Sequence, residues 1–358
     1  MDVKYLNAFN NIKNVGVLTL EKIYKYFKGD FEKAWKSADR DFIKAGIQNQ
    51  ELSAIEKRNS INPDKEIKKV RDAGIIILSV DDKKYPALLK HIPHPPIILY
   101  VKGEIKKDDD FAFGIVGTRK ITSYGKLVAP KISRELALSG FTIVSGLAAG
   151  VDTLAHQAAL DAGKRTIAVL GTGLSKEIFF PQQNWKLAEK ISENGAVITE
   201  YPLWMGGAKE NFPQRNRIIS GLSKGVLVVE AASKSGALIT ANYAVQQNRD
   251  VFAVPGPVFS RMSEGANNLI KRGAKLASSA IDILEEYDIQ GISVKKEIKA
   301  ANKTEAAIIN EIAAEPAHID KIISNSKLDV IAVSAAITEM ELNGKVKNLG
   351  NDVYCLNT

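Results

Sequence analysis

Cysteine occurs once in this chain of 358 residues, at position 355. A single thiol excludes an internal disulfide, and its isolation suits a reducing compartment. Long apolar runs are missing too; none approaches the length of a membrane span. The opening Met1-Asp2-Val3-Lys4 leads into no apolar h-region, so no secretory signal is expected. These absences predict a cytoplasmic chain with no membrane partner. Clusters with metal-ligand spacing are also lacking. His91 and His94 stand among prolines with neither cysteine nor carboxylate at ligand spacing, so no metal is expected. No Ser-His-Asp order and no carboxylate pair with a water-activating partner can be found. His156 lies among alanines on a helical stretch and reads as a core or capping histidine. With no catalytic constellation and no cofactor signature, the chain points to binding rather than turnover.

Phosphate-binding loops are absent in their common forms. No Gly-Lys-Ser/Thr closes a loop, and no G-x-G-x-x-G opens a helix. Two other small-residue loops take their place. An apolar run, Phe111 to Val116, ends in Gly117-Thr118-Arg119. A helical pattern and a second apolar run follow, ending in Ser145-Gly146-Leu147-Ala148-Ala149-Gly150. Strand, loop, helix, strand, loop is the βαβ unit of a parallel sheet. The alternation continues to Tyr287, which predicts an α/β fold with a doubly wound, mostly parallel sheet. In such a sheet the carboxyl ends of the strands form the ligand crevice, where helix N-termini favour anions.

The net charge is +8 and the isoelectric point near 9.2, which makes an anionic partner plausible. The excess lies upstream, since residues 291–358 carry 8 basic against 9 acidic side chains. Four segments are expected. Residues 1–62 read as helices around Gly16 and Gly46, similar to helix-hairpin-helix or SAM-like modules. They serve either packing or backbone contact. Residues 63–288 hold the sheet, and 289–303, polar and lysine-rich, read as a linker. Residues 304–358 read as three helices and a hairpin, a winged helix. The polar positions of its third helix are Ser334, Thr338, Glu339 and Glu341, which favours protein contact over groove reading.

Candidate binding residues gather on one sheet edge. Arg119 can fork onto a phosphate or pair with a carboxylate. Thr118, Gly146, Thr172 with Lys176, Ser235 and Gly236 lie on the same edge. The densest stretch is Asn211-Phe212-Pro213-Gln214-Arg215-Asn216-Arg217, opening a helix. Arg215 and Arg217 cannot face one way on a regular helix, so one binds ligand while the other anchors, on Glu200 or Glu230. Phe179, Phe180 and Trp204 are loop aromatics suited to base stacking or to loop packing.

These residues carry a resemblance. Gly117-Thr118-Arg119 with Tyr124-Gly125, Ser145 to Asp152 with Ala155-His156, Gly171-Thr172-Gly173-Leu174 with Pro181, and Thr199-Glu200-Tyr201-Pro202 match in order. So do Asn211-Phe212-Pro213 with Arg215 to Ser223, Val228-Val229-Glu230-Ala231 with Ser235-Gly236, and Val254-Pro255-Gly256. The stretch from about 110 to 285 resembles the bacterial DNA-processing protein A family, DprA or Smf. The resemblance implies an extended Rossmann core at 63–288 that binds single-stranded DNA without sequence preference. It implies a homodimer that loads RecA recombinase during natural transformation. The family's strand-binding arginine falls on Arg119, and its other basic positions on Lys176, Arg215 and Arg217. The alternative is a Rossmann-type enzyme acting on nucleotides, with Glu200 or Glu230 as its carboxylate.

Overall fold

The structure, a computed structural model, describes residues 3–289, 300–313 and 315–357. Most of the segment read as a linker falls outside the described residues. The chain divides into two compact units, 1–291 and 292–358.

The first unit is built on nine strands: β1 (Ile76–Ser79), β2 (Ile98–Gly103), β3 (Ala112–Val116), β4 (Thr142–Ser145), β5 (Thr166–Val169), β6 (Ala196–Thr199), β7 (Gly225–Val228), β8 (Asp250–Ala253) and β9 (Lys275–Leu276). Their order is β1-β2-β6-β5-β4-β3-β7-β8-β9. From β6 to β9 all pairings are parallel, while β2 joins β6 and β1 antiparallel. Every residue of β3 through β7 is buried. Burial on both faces explains why these strands read as continuous apolar runs rather than as alternations. Phe113, Ile115, Ile143, Leu227 and Phe252 pack beneath the helices Ser123–Leu138 and Val151–Asp161. Val116, Val144, Val226 and Val228 pack on the opposite face, with Ile218, Ile219 and Ala241 from the helices Asn211–Leu222 and Gly236–Gln246.

The N-terminal helices share that second core. Phe9, from the helix Val3–Asn10, meets Trp35 edge-on at 4.9 Å. The Asn10 amide donates to the Tyr100 hydroxyl at 3.1 Å and to the Glu200 carbonyl at 3.0 Å, tying the helices to β2 and the end of β6. Among the two expected hairpin glycines, Gly46 takes a φ of +80°, while Gly16 N-caps the helix Val17–Phe27 in extended conformation.

The second unit is the expected winged helix. It holds the helices Lys303–Ile312, Ile319–Ser326 and Val330–Leu342, with a sheet of β10 (Ala317–His318), β11 (Val346–Asn348) and β12 (Val353–Leu356) in the order β10-β12-β11. Ile308, Ile322, Val333, Ile337 and Met340 form its core. The Asp329 carboxylate caps the third helix at the amides of Ile331 and Ala332. Thr338, Glu339 and Glu341 are exposed on that helix, which carries no lysine or arginine.

Candidate phosphate-binding crevice

The chain leaves β3 toward β4 and leaves β7 toward β8, so two adjacent parallel strands send their connections in opposite directions. Such a switch point opens a crevice at the carboxyl ends of the strands. Here it encloses about 590 Å³. Gly117 and Arg119 come from the loop after β3, and Ser235 and Gly236 from the loop after β7. Lys209, Phe212, Arg215 and Asn216 come from the helix Asn211–Leu222 and the turn before it, and Phe180 closes one side. Three cations therefore face one space.

Their states differ. Arg119 is exposed, lies 5.7 Å from the centre of the Phe212 ring, and has no ion-pair partner among the described residues. A guanidinium held over an aromatic face keeps its fork available to an anion. Arg215 is buried behind it. Its Nη1 donates to the Gly146 carbonyl at 2.8 Å and also to the Val169 carbonyl, and its Nε donates to the Asn216 Oδ1 at 3.1 Å. Burial pulls the Arg215 pKa down to about 10; Asp152 opposes the fall and Arg119 adds to it. At neutral pH Arg215 stays charged, a buried cation on the crevice floor beside the Asp152 carboxyl group.

Asp152 organises this floor. Its carboxylate accepts from the Gly146 amide at 3.1 Å and the Ala148 amide at 3.4 Å. Burial holds its carboxyl above the usual range, against Arg215 and those amides. A Cβ at Gly146 would lie 2.6 Å from Arg215 Nη2 and 2.8 Å from Asp152 Oδ2, so a side chain there would push both groups aside. Gly150 has a φ of +88°, and a Cβ on it would collide with the Thr118 carbonyl. Close approach of the loops after β3 and β4 therefore depends on Gly150.

The sequence-predicted residues separate into three groups. Gly117, Arg119, Arg215, Asn216, Ser235 and Gly236 meet in the crevice. Thr118 is buried, donating its amide to the Glu230 carbonyl at 2.7 Å, and serves as a stitch between β3 and β7. Gly146 also lies behind the surface, its amide spent on Asp152. Asn211 heads its helix outside the lining, and Lys176 is exposed on a short turn, also outside it.

Arg217 is the clearest correction. It is buried and pairs with Glu200 at 2.5 Å, away from the crevice, so it is the anchor of the two arginines. Positions two apart on a helix point to nearly opposite sides. Phe179 is likewise a core residue, edge-on to Trp185 at 5.1 Å, while Phe180 is half exposed and lines the crevice. Trp204 is exposed elsewhere. His156 is a core histidine, its Nδ1 at 2.7 Å from the Thr166 hydroxyl. The sequence reading overlooked Lys209, Phe212 as the ring beneath Arg119, and Asp152 as the organiser. Only the position of Asp152 at the start of a helix after a glycine loop hinted at its role.

The two carboxylates proposed for an enzyme are both committed. Glu200 holds Arg217. Glu230 accepts from the Thr122 amide at 3.1 Å and its hydroxyl at 2.5 Å. Neither lines the crevice. No group of three or more potential metal ligands occurs among the described residues, and no described helix is long and apolar enough to cross a membrane.

Sheet, crevice and winged helix together define an extended Rossmann-like protein with a cation-lined switch point. The chain belongs to the DNA recombination-mediator protein A family: that family's model matches residues 76–288, and the DprA winged helix domain matches residues 295–351. Protein Smf of a Synechocystis strain is 36% identical, with 96% of each chain covered. The DNA processing protein DprA of Bacillus subtilis is 40% identical over 70% of this chain and 83% of its own. Among solved structures, DNA processing protein A of Streptococcus pneumoniae superposes with a TM-score of 0.70 at 34% identity, covering 79% of this chain and 97% of its own. The Helicobacter pylori protein, described for its single-stranded DNA binding mode, superposes at 0.54 with 30% identity, covering 60% of this chain and 97% of its own.

Proposed function

We propose that this chain grips single-stranded DNA, without regard to sequence, in the crevice between the loops after β3 and β7. It does so as a homodimer that passes the strand to RecA recombinase during natural transformation. The observation that carries the binding part is Arg119: exposed, lying over Phe212, and backed by the buried charge of Arg215. Arg119 and Lys209 take phosphates, Arg215 supplies field from the floor, and Phe180 offers a ring to a base. None of these groups reads a base edge through a fixed donor and acceptor pair, which is why the grip is indifferent to sequence. The reading of the crevice as an enzyme site is weakened, because Glu200 and Glu230 are spent on the fold.

Arg119→Ala is the test. Single-strand affinity should fall about 10-fold or more, alike for thymine-rich and mixed sequences, with the melting temperature unchanged. Unaltered affinity, together with turnover of a mononucleotide, would sink the proposal.

A further inference from the structure

The loop after β8 carries an apolar tip that the crevice does not use. Val258 is 82% exposed and Phe259 98%. A single exposed apolar residue is ordinary, but the backbone holding this one is fastened on both sides. The Tyr124 hydroxyl donates to the Pro255 carbonyl at 2.8 Å. The Asn267 amide clasps Gly256, accepting from its N–H at 3.1 Å and donating to its carbonyl at 3.0 Å. The Ser260 amide closes a turn on the Pro257 carbonyl at 3.0 Å. Beyond the tip, the Met262 carbonyl accepts from the Ala231 amide at 2.7 Å, and its sulfur lies 3.6 Å from the Thr118 hydroxyl.

The last two anchors, Ala231 and Thr118, belong to the loops that supply Ser235 and Arg119, so the base of the tip is tied to two crevice loops. Phe259 is three residues from Met262, which places it within about 11 Å of that contact. Each of the three loops carries an exposed cation: Lys120 on the first, Lys234 on the second and Arg261 on the third. The neighbouring exposed acid is Glu264.

We propose that Phe259 is a stacking platform for a base of a single strand that leaves the crevice across the loops after β7 and β8. The inference rests on reading the crevice as a single-strand site. The occupant follows from the chemistry. Spaced cations suit a phosphate chain, and a fully offered ring suits the π-face of any base. Two exposed apolar side chains are a small area for a protein interface.

Anisotropy with labelled oligothymidylates of about 6 and about 20 nucleotides tests it on the full chain. Phe259→Ala and Phe259→Leu should leave the short strand unchanged and weaken the long one by about 5- to 100-fold. Phe259→Trp should keep the long-strand affinity, with tryptophan emission quenched beyond that of the unaltered protein. Arg119→Ala should weaken both lengths. If Arg119→Ala weakens both and Phe259→Ala neither, the platform falls while the crevice stands. If the unaltered protein binds neither length, both readings fall. If Phe259→Ala leaves long-strand affinity intact but turns a dimer into a monomer by light scattering, the tip belongs to a protein contact and the platform is overturned.

Discussion

His156 shows how far a single buried group can set a property of the molecule. It is completely buried between the helix Val151–Asp161 and β5, and burial, with Arg215 nearby, pushes its pKa down to about 3. In the unfolded chain it would titrate near the usual 6.5. Between those values the unfolded state holds one more proton, so stability is complete above about pH 6.5 and declines as pH falls. The expected slope is roughly 1.4 kcal/mol per pH unit below about pH 6. Urea unfolding from about pH 5 to pH 7 should show it, and His156→Gln should flatten the profile. An equal slope in the variant would assign the effect to other groups. The sequence already marked this histidine as a core residue, because alanines around it leave no polar surface. It could not show the Thr166 hydroxyl, which comes from a strand ten residues on.

At the scale of elements, the loop bearing Arg119 is aimed by the helix it leads into. Thr122 caps Ser123–Leu138, accepting from the Gly125 amide at 3.2 Å while donating its hydroxyl to Glu230 at 2.5 Å. One side chain therefore ends the loop after β3, starts a helix and ties both to the end of β7. Thr122→Ala removes the cap and one partner of a buried carboxylate. It should cost about 1–3 kcal/mol in urea unfolding and weaken single-strand binding, since Arg119 lies three residues upstream. A loss below a few tenths would mean that the Thr122 amide alone satisfies Glu230. The elements themselves were legible in the sequence: fully buried parallel strands announce themselves as short apolar runs. The cross-tie between Thr122 and Glu230 was not, since only the sheet order brings those two residues together.

Across the whole molecule, the positive charge does not act as one surface. Arg217 and Arg165 are consumed by Glu200 and Asp109, and the winged-helix unit adds no cation on its third helix. A strand short enough to fill the crevice alone should meet about three cations: Arg119, Lys209 and Arg215. At roughly −0.7 per phosphate, its binding constant should fall with salt at a log–log slope near −2. A slope steeper than about −4 would place most backbone contacts outside the crevice. The sequence alone determined the parallel sheet, the edge on which its loops gather, the winged helix and the family. Local periodicity and glycine placement carry that information, and both are properties of neighbouring residues. Tertiary structure decided which of two arginines reaches a ligand. Helical geometry sends Arg215 and Arg217 to opposite sides, but only the packing of their helix on the sheet brings Glu200, just past β6, to one and leaves the other to face the crevice.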